Sequence, residues 1–199
     1  ALSFLSISGP DALAVASGKL PPKLGLAAVQ LAAAPETIRL KLKGYSTDGA
    51  QGSVRDFYTQ ASFGQLTVQS TVTAWVTLTG NKADYDDSWN GTTYGIWNMV
   101  TEALAALEAA NFDFSGFDGD NDGWIDGIDF IHAGYGEENT GDPTDIWSHQ
   151  WQIASPVIYD GVAIQAYHTE HELRDASGTG LTRIGVLCRE TGHLLGLPD

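Results

Sequence analysis

Within twelve residues the chain runs Asp118-Gly-Asp120-Asn-Asp122-Gly-Trp124-Ile-Asp126-Gly-Ile-Asp129, five carboxylates at loop positions 1, 3, 5, 9 and 12. Like charges held this close repel one another unless a cation sits among them. Calcium takes about six to eight oxygens, and this spacing folds them around one point. Gly123 stands at position 6, where the backbone must turn sharply, and the apolar Ile125 at position 8. The Trp124 carbonyl adds a further oxygen. The last position carries Asp129 instead of the longer Glu, which shortens the reach of the final ligand. We read the segment as a structural Ca2+ loop with Asp118, Asp120, Asp122, Trp124, Asp126 and Asp129 as ligands. It braces the turn between a helix and a strand.

Charge is distributed as unevenly as the acids of that loop suggest. Up to Lys82 there are seven Lys and Arg against four acids, and beyond it three Arg against 21 acids. A surface of that sign repels nucleic acid and anionic membranes. No apolar run approaches the roughly 20 residues that cross a bilayer. A single cysteine, Cys188, forms no internal bridge and reads as a buried small apolar residue. With 199 residues, 43% of them hydrophobic, the chain can bury the core of one domain.

Periodicity gives a mixed order of helices and strands, hence an α+β or α/β fold. Thr37 to Lys43 alternates apolar and basic residues as a half-buried strand does. Ser53 to Ser62 reads as a short helix, capped by Ser53 with Asp56 three residues on, and ended by Gly64. Leu66 to Leu78 is a long strand, or two strands around a bend. Gly95 to Ala110 is the clearest helix, with Ile96, Met99, Val100, Ala103, Leu104 and Leu107 on one stripe. Gly127 to Ala133 is a strand leaving the acidic loop, and Val157 to Tyr167 a hairpin turning at Asp160-Gly161. Arg183 to Leu195 is a second helix. Residues 1–35 carry no usable motif. Lys19 to Ala34 faintly imitates a signal peptide, although a buried strand or a pro-segment remnant suits its internal position better. Asn90-Gly-Thr92 matches a glycosylation acceptor, a pattern that arises often by chance.

The chain closes with Arg189-Glu190-Thr191-Gly192-His193-Leu194-Leu195-Gly196-Leu197-Pro198-Asp199. Every defined position of H-E-x-x-H-x-x-G-x-x-D is met but the first. In that motif two histidines one turn apart hold zinc, and the Glu beside the first is general base to the zinc-bound water. A Gly then turns the chain so that a third ligand returns to the metal. Here a guanidinium, always charged and with no lone pair to offer, occupies the place of the first ligand. His193 and Asp199 remain as ligands and Glu190 as base, short of the three protein ligands that a catalytic zinc keeps.

Several segments together resemble the immune inhibitor A family of secreted zinc metallopeptidases. They are Ser53-Val-Arg-Asp-Phe-Tyr58 with Ser62-Phe-Gly64, the acidic loop running into Gly127-Ile-Asp-Phe-Ile-His-Ala-Gly134, Gly141-Asp-Pro-Thr-Asp-Ile-Trp-Ser-His149, and Ile184 through Asp199. The resemblance covers about residues 50–199. It implies an α+β, zincin-like fold: a twisted mixed sheet, a backing helix and an active-site helix. It also implies peptide-bond hydrolysis outside the cell, with Zn2+ and Ca2+ as cofactors and proteins or peptides as substrates. Carried over by position, Glu190 is the general base and His193 and Asp199 are zinc ligands, while Arg189 stands where the first His ligand belongs. The expected organisation is an unassigned segment over 1–35 and a metallopeptidase-like domain over 36–199, as the upper subdomain only.

Three functions then compete. A zinc endopeptidase would use Glu190 and a metal-activated water. A calcium-stabilised, catalytically inactive relative would act as a structural or binding module, with Arg189 paired to Glu190 or Asp199 in the space of the zinc. A calcium-dependent binding module without peptidase ancestry fits the C-terminal run least. His168 and His171 are candidates for a replacement ligand. His132 and His149 read as packing or hydrogen-bonding residues, and Trp147 and Trp151 as core or cleft wall.

Overall fold

A computed structural model describes residues 2–3, 24–31, 53–66, 68–86, 94–175, 178 and 180–198, the first two segments as backbone only. In chain order the elements are β1 (Leu2–Ser3), β2 (Leu24–Leu31), α1 (Val54–Ala61), β3 (Val68–Val76), α2 (Lys82–Tyr85) and α3 (Tyr94–Ala109). A short 3-10 turn, Ser115–Phe117, leads to the acidic loop. Then follow β4 (Asp129–Tyr135), α4 (Glu137–Thr140), β5 (His149–Tyr159), β6 (Val162–Leu173) and α5 (Ile184–Leu194). The fold is α+β with a mixed sheet, as the family resemblance implies. Among the described residues no helix is long and apolar enough to cross a membrane. The Thr37 to Lys43 strand and the Asn90-Gly-Thr92 acceptor lie outside the described residues.

Local signals set the helices where the sequence places them. Ser53 caps α1: its Oγ accepts from Asp56 N at 3.1 Å, and the Asp56 carboxylate accepts from Ser53 N at 3.0 Å. The α3 stripe is fully inside, with Ile96, Ala103 and Leu104 at 0% exposure. The hairpin forms with Asp160 and Gly161 both at positive φ, 50° and 84°, the turn that matches the twist of its strands. Its arms extend well past the expected 157–167, because β5 pairs with β6 back to His149.

β3, β2, β4 and β6 run parallel in that order, and β5 pairs antiparallel to β6 at the sheet's edge. The two-residue β1 pairs antiparallel with β2, β3 and β4. Leu24–Leu31, expected as a strand or a pro-segment remnant, is thus a strand inside the sheet. Two apolar cores sandwich the sheet, and successive β4 residues feed opposite ones. Phe130 packs with α3 and Tyr167, whereas Ile131 packs with Val54 and Tyr58 of α1 and Leu187 and Cys188 of α5. α3 is therefore the backing helix. α5 lies on the other face, held by the Tyr58 hydroxyl donating to the Cys188 carbonyl.

Candidate active site and metal sites

α5 and the edge strand enclose a groove of about 540 Å³. Trp147, His149 and Trp151 line one side, and Arg189, Glu190 and His193 the other. Residues 189, 190 and 193 reach the same opening because they lie within one helical turn. Past Leu194 the chain reverses. Gly196 takes φ 76°, Leu197 N donates to Gly192 O and Gly196 N to His193 O, the bonds of a Schellman ending. The turn sets Leu197 O 3.0 Å from His193 Nδ1. Asp199 lies outside the described residues. The two tryptophans are cleft wall, 42% and 50% exposed.

Arg189 Nη1 donates to Glu190 Oε1. The Glu190 carboxylate is 1% exposed and the guanidinium 52%. The Arg189–Glu190 pairing expected of an inactive relative is thus present, and the buried Glu190 carboxylate is bound by a permanent cation. Among the described residues the groove gathers two imidazoles, His149 and His193, one carboxylate and a guanidinium. The His149 ring nitrogens stand 2.7 Å from Trp147 O and 3.2 Å from Tyr167 Oη, and among the described residues no three ligating side chains of the groove come within 4.8 Å of one another. That arrangement does not fit a catalytic zinc, which needs three lone-pair donors around one ion. Neither His168 nor His171 lines the groove. His171 is 3% exposed, with Ser148 Oγ 3.1 Å from Nδ1 and Thr182 Oγ1 2.9 Å from Nε2. His132 is buried and packs on β4, where burial pushes its imidazole down to about 4.

The acidic loop folds tightly. Carboxylate oxygens of Asp118, Asp120 and Asp126 lie within 4.8 Å of one another. Gly123 takes φ 90°, which lets its N–H donate to Asp118 Oδ2 at 3.0 Å. Asp122 Oδ1 accepts from Trp124 N at 2.9 Å. Burial pushes Asp126 up to about 8; hydrogen bonds from Gly119 oppose this, while Asp120, Asp118 and Asp122 add to it. An all-oxygen donor set under such mutual repulsion fits calcium.

Asp129, expected as the last ligand of the loop, is not gathered into that group. It is the first residue of β4, in register with His168 of the parallel neighbour β6. Strand pairing starts before the loop can complete its turn, so the side chain enters the sheet face beneath α5. There ligand atoms of Asp129, His168 and Glu170 lie within 4.8 Å of one another, and all three residues are buried. His168 Nδ1 stands 2.7 Å from Glu170 Oε1 and 3.5 Å from Asp129 Oδ1. Sequence reasoning missed this group. Its one local trace is the His168-Thr-Glu170 spacing, which puts both side chains on one face of a strand.

Comparison with known proteins places these features. The model of the immune inhibitor A peptidase M6 catalytic domain matches residues 39–199. An immune inhibitor A from Bacillus thuringiensis subsp. alesti is 34% identical over 176 residues, covering 73% of this chain and 25% of that protein. The chain therefore spans about a quarter of the length of this relative. With the helix, the edge strand and the acidic loop in the order found here, the chain belongs to the immune inhibitor A family of M6 peptidases.

Proposed function

We propose that this metallopeptidase-family domain binds extended polypeptide in the groove between α5 and β5 without hydrolysing it, and that calcium braces it. The Arg189–Glu190 pair carries this reading. Hydrolysis of a peptide bond needs a polarised water and a carboxylate free to take its proton. Here the carboxylate is held by a guanidinium, and the position of the first metal ligand offers only donors. Binding needs neither. Beyond β6, β5 has no further strand partner among the described residues, so its outer backbone groups can pair with an extended peptide. Trp147 and Trp151 offer apolar surface to alternate side chains of such a ligand.

Asp118, Asp120 and Asp126 would hold the calcium ion, with Asp122 and the Trp124 carbonyl adjoining. Its role is to cancel the repulsion among these carboxylates and fix the entry into β4. A loop that loses Asp129 from its ligand set has fewer carboxylates with which to hold calcium. The family resemblance implies a secreted protein, which would bind proteins or peptides outside the cell.

The second reading is an active zinc endopeptidase, with His193 and Asp199 as ligands and Glu190 as base. A fluorogenic casein assay with added Zn2+ separates the two. The expected result is no cleavage above blank for the natural chain, with saturable binding of a fluorescent β-strand peptide that quenches Trp147 and Trp151. Chelator-sensitive casein cleavage by the natural chain would overturn the non-hydrolytic reading. Arg189→His adds an imidazole and frees Glu190, and is expected to gain one groove-bound zinc per chain. Unchanged zinc binding would show that position 189 does not face the metal position.

A further inference from the structure

We propose that Asp129, His168 and Glu170 form a second metal site, separate from the groove and the acidic loop, for one divalent ion of the zinc or manganese class. Register creates it. Asp129 is the Cα partner of His168 in the parallel β4–β6 pair, and Glu170 follows two residues on, so three ligating side chains share one face. They are 0%, 1% and 0% exposed. Both Asp129 oxygens, Glu170 Oε2 and His168 Nε2 are buried without a hydrogen-bond partner. No Lys or Arg among the described residues is ion-paired with either carboxylate. Buried carboxylates without partners are costly, so a cation or a shared proton must offset them.

The donor chemistry favours the cation. Four lone-pair atoms around one ion with bonds of about 2.1 Å stand roughly 3.4 Å apart; His168 Nδ1 stands 3.5 Å from Asp129 Oδ1, while its 2.7 Å approach to Glu170 Oε1 is a hydrogen bond that the ion would replace. One imidazole with two carboxylates suits zinc or manganese, whereas the all-oxygen loop suits calcium. Burial pushes Asp129 well above the usual range, with Glu170 adding to it and His168 opposing it, and burial pushes Glu170 up to about 8, with Asp129 as proton donor opposing this while Glu190 and Glu138 add to it. A divalent ion relieves that same crowding. Glu190 is close enough to act electrostatically on both His168 and Glu170. An ion there would pin β4 to β6 directly beneath the helix that forms the groove.

The test is cobalt(II) uptake by the whole chain after EDTA treatment, in calcium-saturated buffer so that the loop is filled. The expected result is one equivalent with visible d–d bands, kept in His193→Ala and lost in Glu170→Gln. A folded natural chain that takes up no cobalt overturns the site. So does Glu170→Gln with unchanged uptake and a raised Tm, which identifies a proton shared between the carboxyls. If Glu170→Gln does not fold, the natural chain and His193→Ala decide: bands in both support the site, and bands absent from either overturn it. Bands lost only in His193→Ala would place the metal in the groove and refute the non-metal reading of the groove as well. Casein cleavage with the bands retained would refute that groove reading alone.

Discussion

Removing the Arg189 guanidinium tests whether it holds Glu190 in place of a metal. In Arg189→Ala the carboxylate, 1% exposed, loses the cation that offsets its burial. Breaking a fully buried pair from one side costs about 3–5 kcal/mol, and breaking an exposed pair about 0–1 kcal/mol. Arg189 is 52% exposed, so solvent screens part of the interaction, and the expected cost lies between these limits at about 2 kcal/mol. For a domain of this size each kcal/mol moves Tm by about 2–4 °C, which gives a fall of roughly 4–8 °C. Urea unfolding followed by tryptophan fluorescence reads the change. Glu190→Gln should recover much of the loss in the double variant, because an amide is cheaper to bury than an unpaired carboxylate. The cycle isolates the pair as a coupling of about 1–2 kcal/mol. A single-variant loss under about 0.5 kcal/mol together with no measurable coupling would refute the argument, since an uncompensated buried charge cannot be that cheap.

Two further outcomes follow from the loop and from β4. Calcium at a hundredfold excess over Kd should stabilise the chain by about 2.7 kcal/mol in thermal or urea melts, and Asp120→Ala should abolish most of that gain; equal calcium protection in the variant would contradict the loop reading. His132 is held by burial at about 4, below its ordinary 6.5. Between these values the unfolded chain binds a proton that the folded chain refuses, so this contribution is full above about pH 6.5 and lost as pH falls to about 4. The upper bound is about 3 kcal/mol, and His132→Gln should flatten that limb of a pH–stability curve. A curve of unchanged slope would show that His132 is not what titrates.

Elements written in local chemistry were legible from the sequence. The Ser53–Asp56 box, the α3 stripe and the Asp160-Gly161 turn each depend on residues a few positions apart, and they formed where expected. The reach of β5 back to His149 was not legible. His149, Gln150, Trp151 and Gln152 show no clean apolar alternation, because this edge strand meets solvent and the groove rather than a core on both faces. In the groove, residues 189, 190 and 193 share one helix turn, so sequence spacing alone was enough to bring them together; spacing leaves the partner of Arg189 open between Glu190 and Asp199, and the structure pairs it with Glu190.

Asp129 shows where such spacing stops being informative. Read along the chain, it is the twelfth residue of an acidic loop, and spacing alone assigns it to the same group as the other four aspartates. Read across the sheet, it is the residue opposite His168. The two assignments compete for one side chain, and the strand wins because Phe130 and Ile131, at 0% and 2% exposure, must enter opposite cores. A one-residue slip of β4 toward the loop would exchange these faces and expose both cores to the wrong partners. Apolar burial on each side of the sheet thus fixes the register, and the register decides which carboxylate leaves the acidic loop. The same constraint brings Glu170 to Asp129 from a segment 41 positions away. No pattern confined to one strand encodes that meeting, since parallel neighbours are joined only through the intervening helix and hairpin.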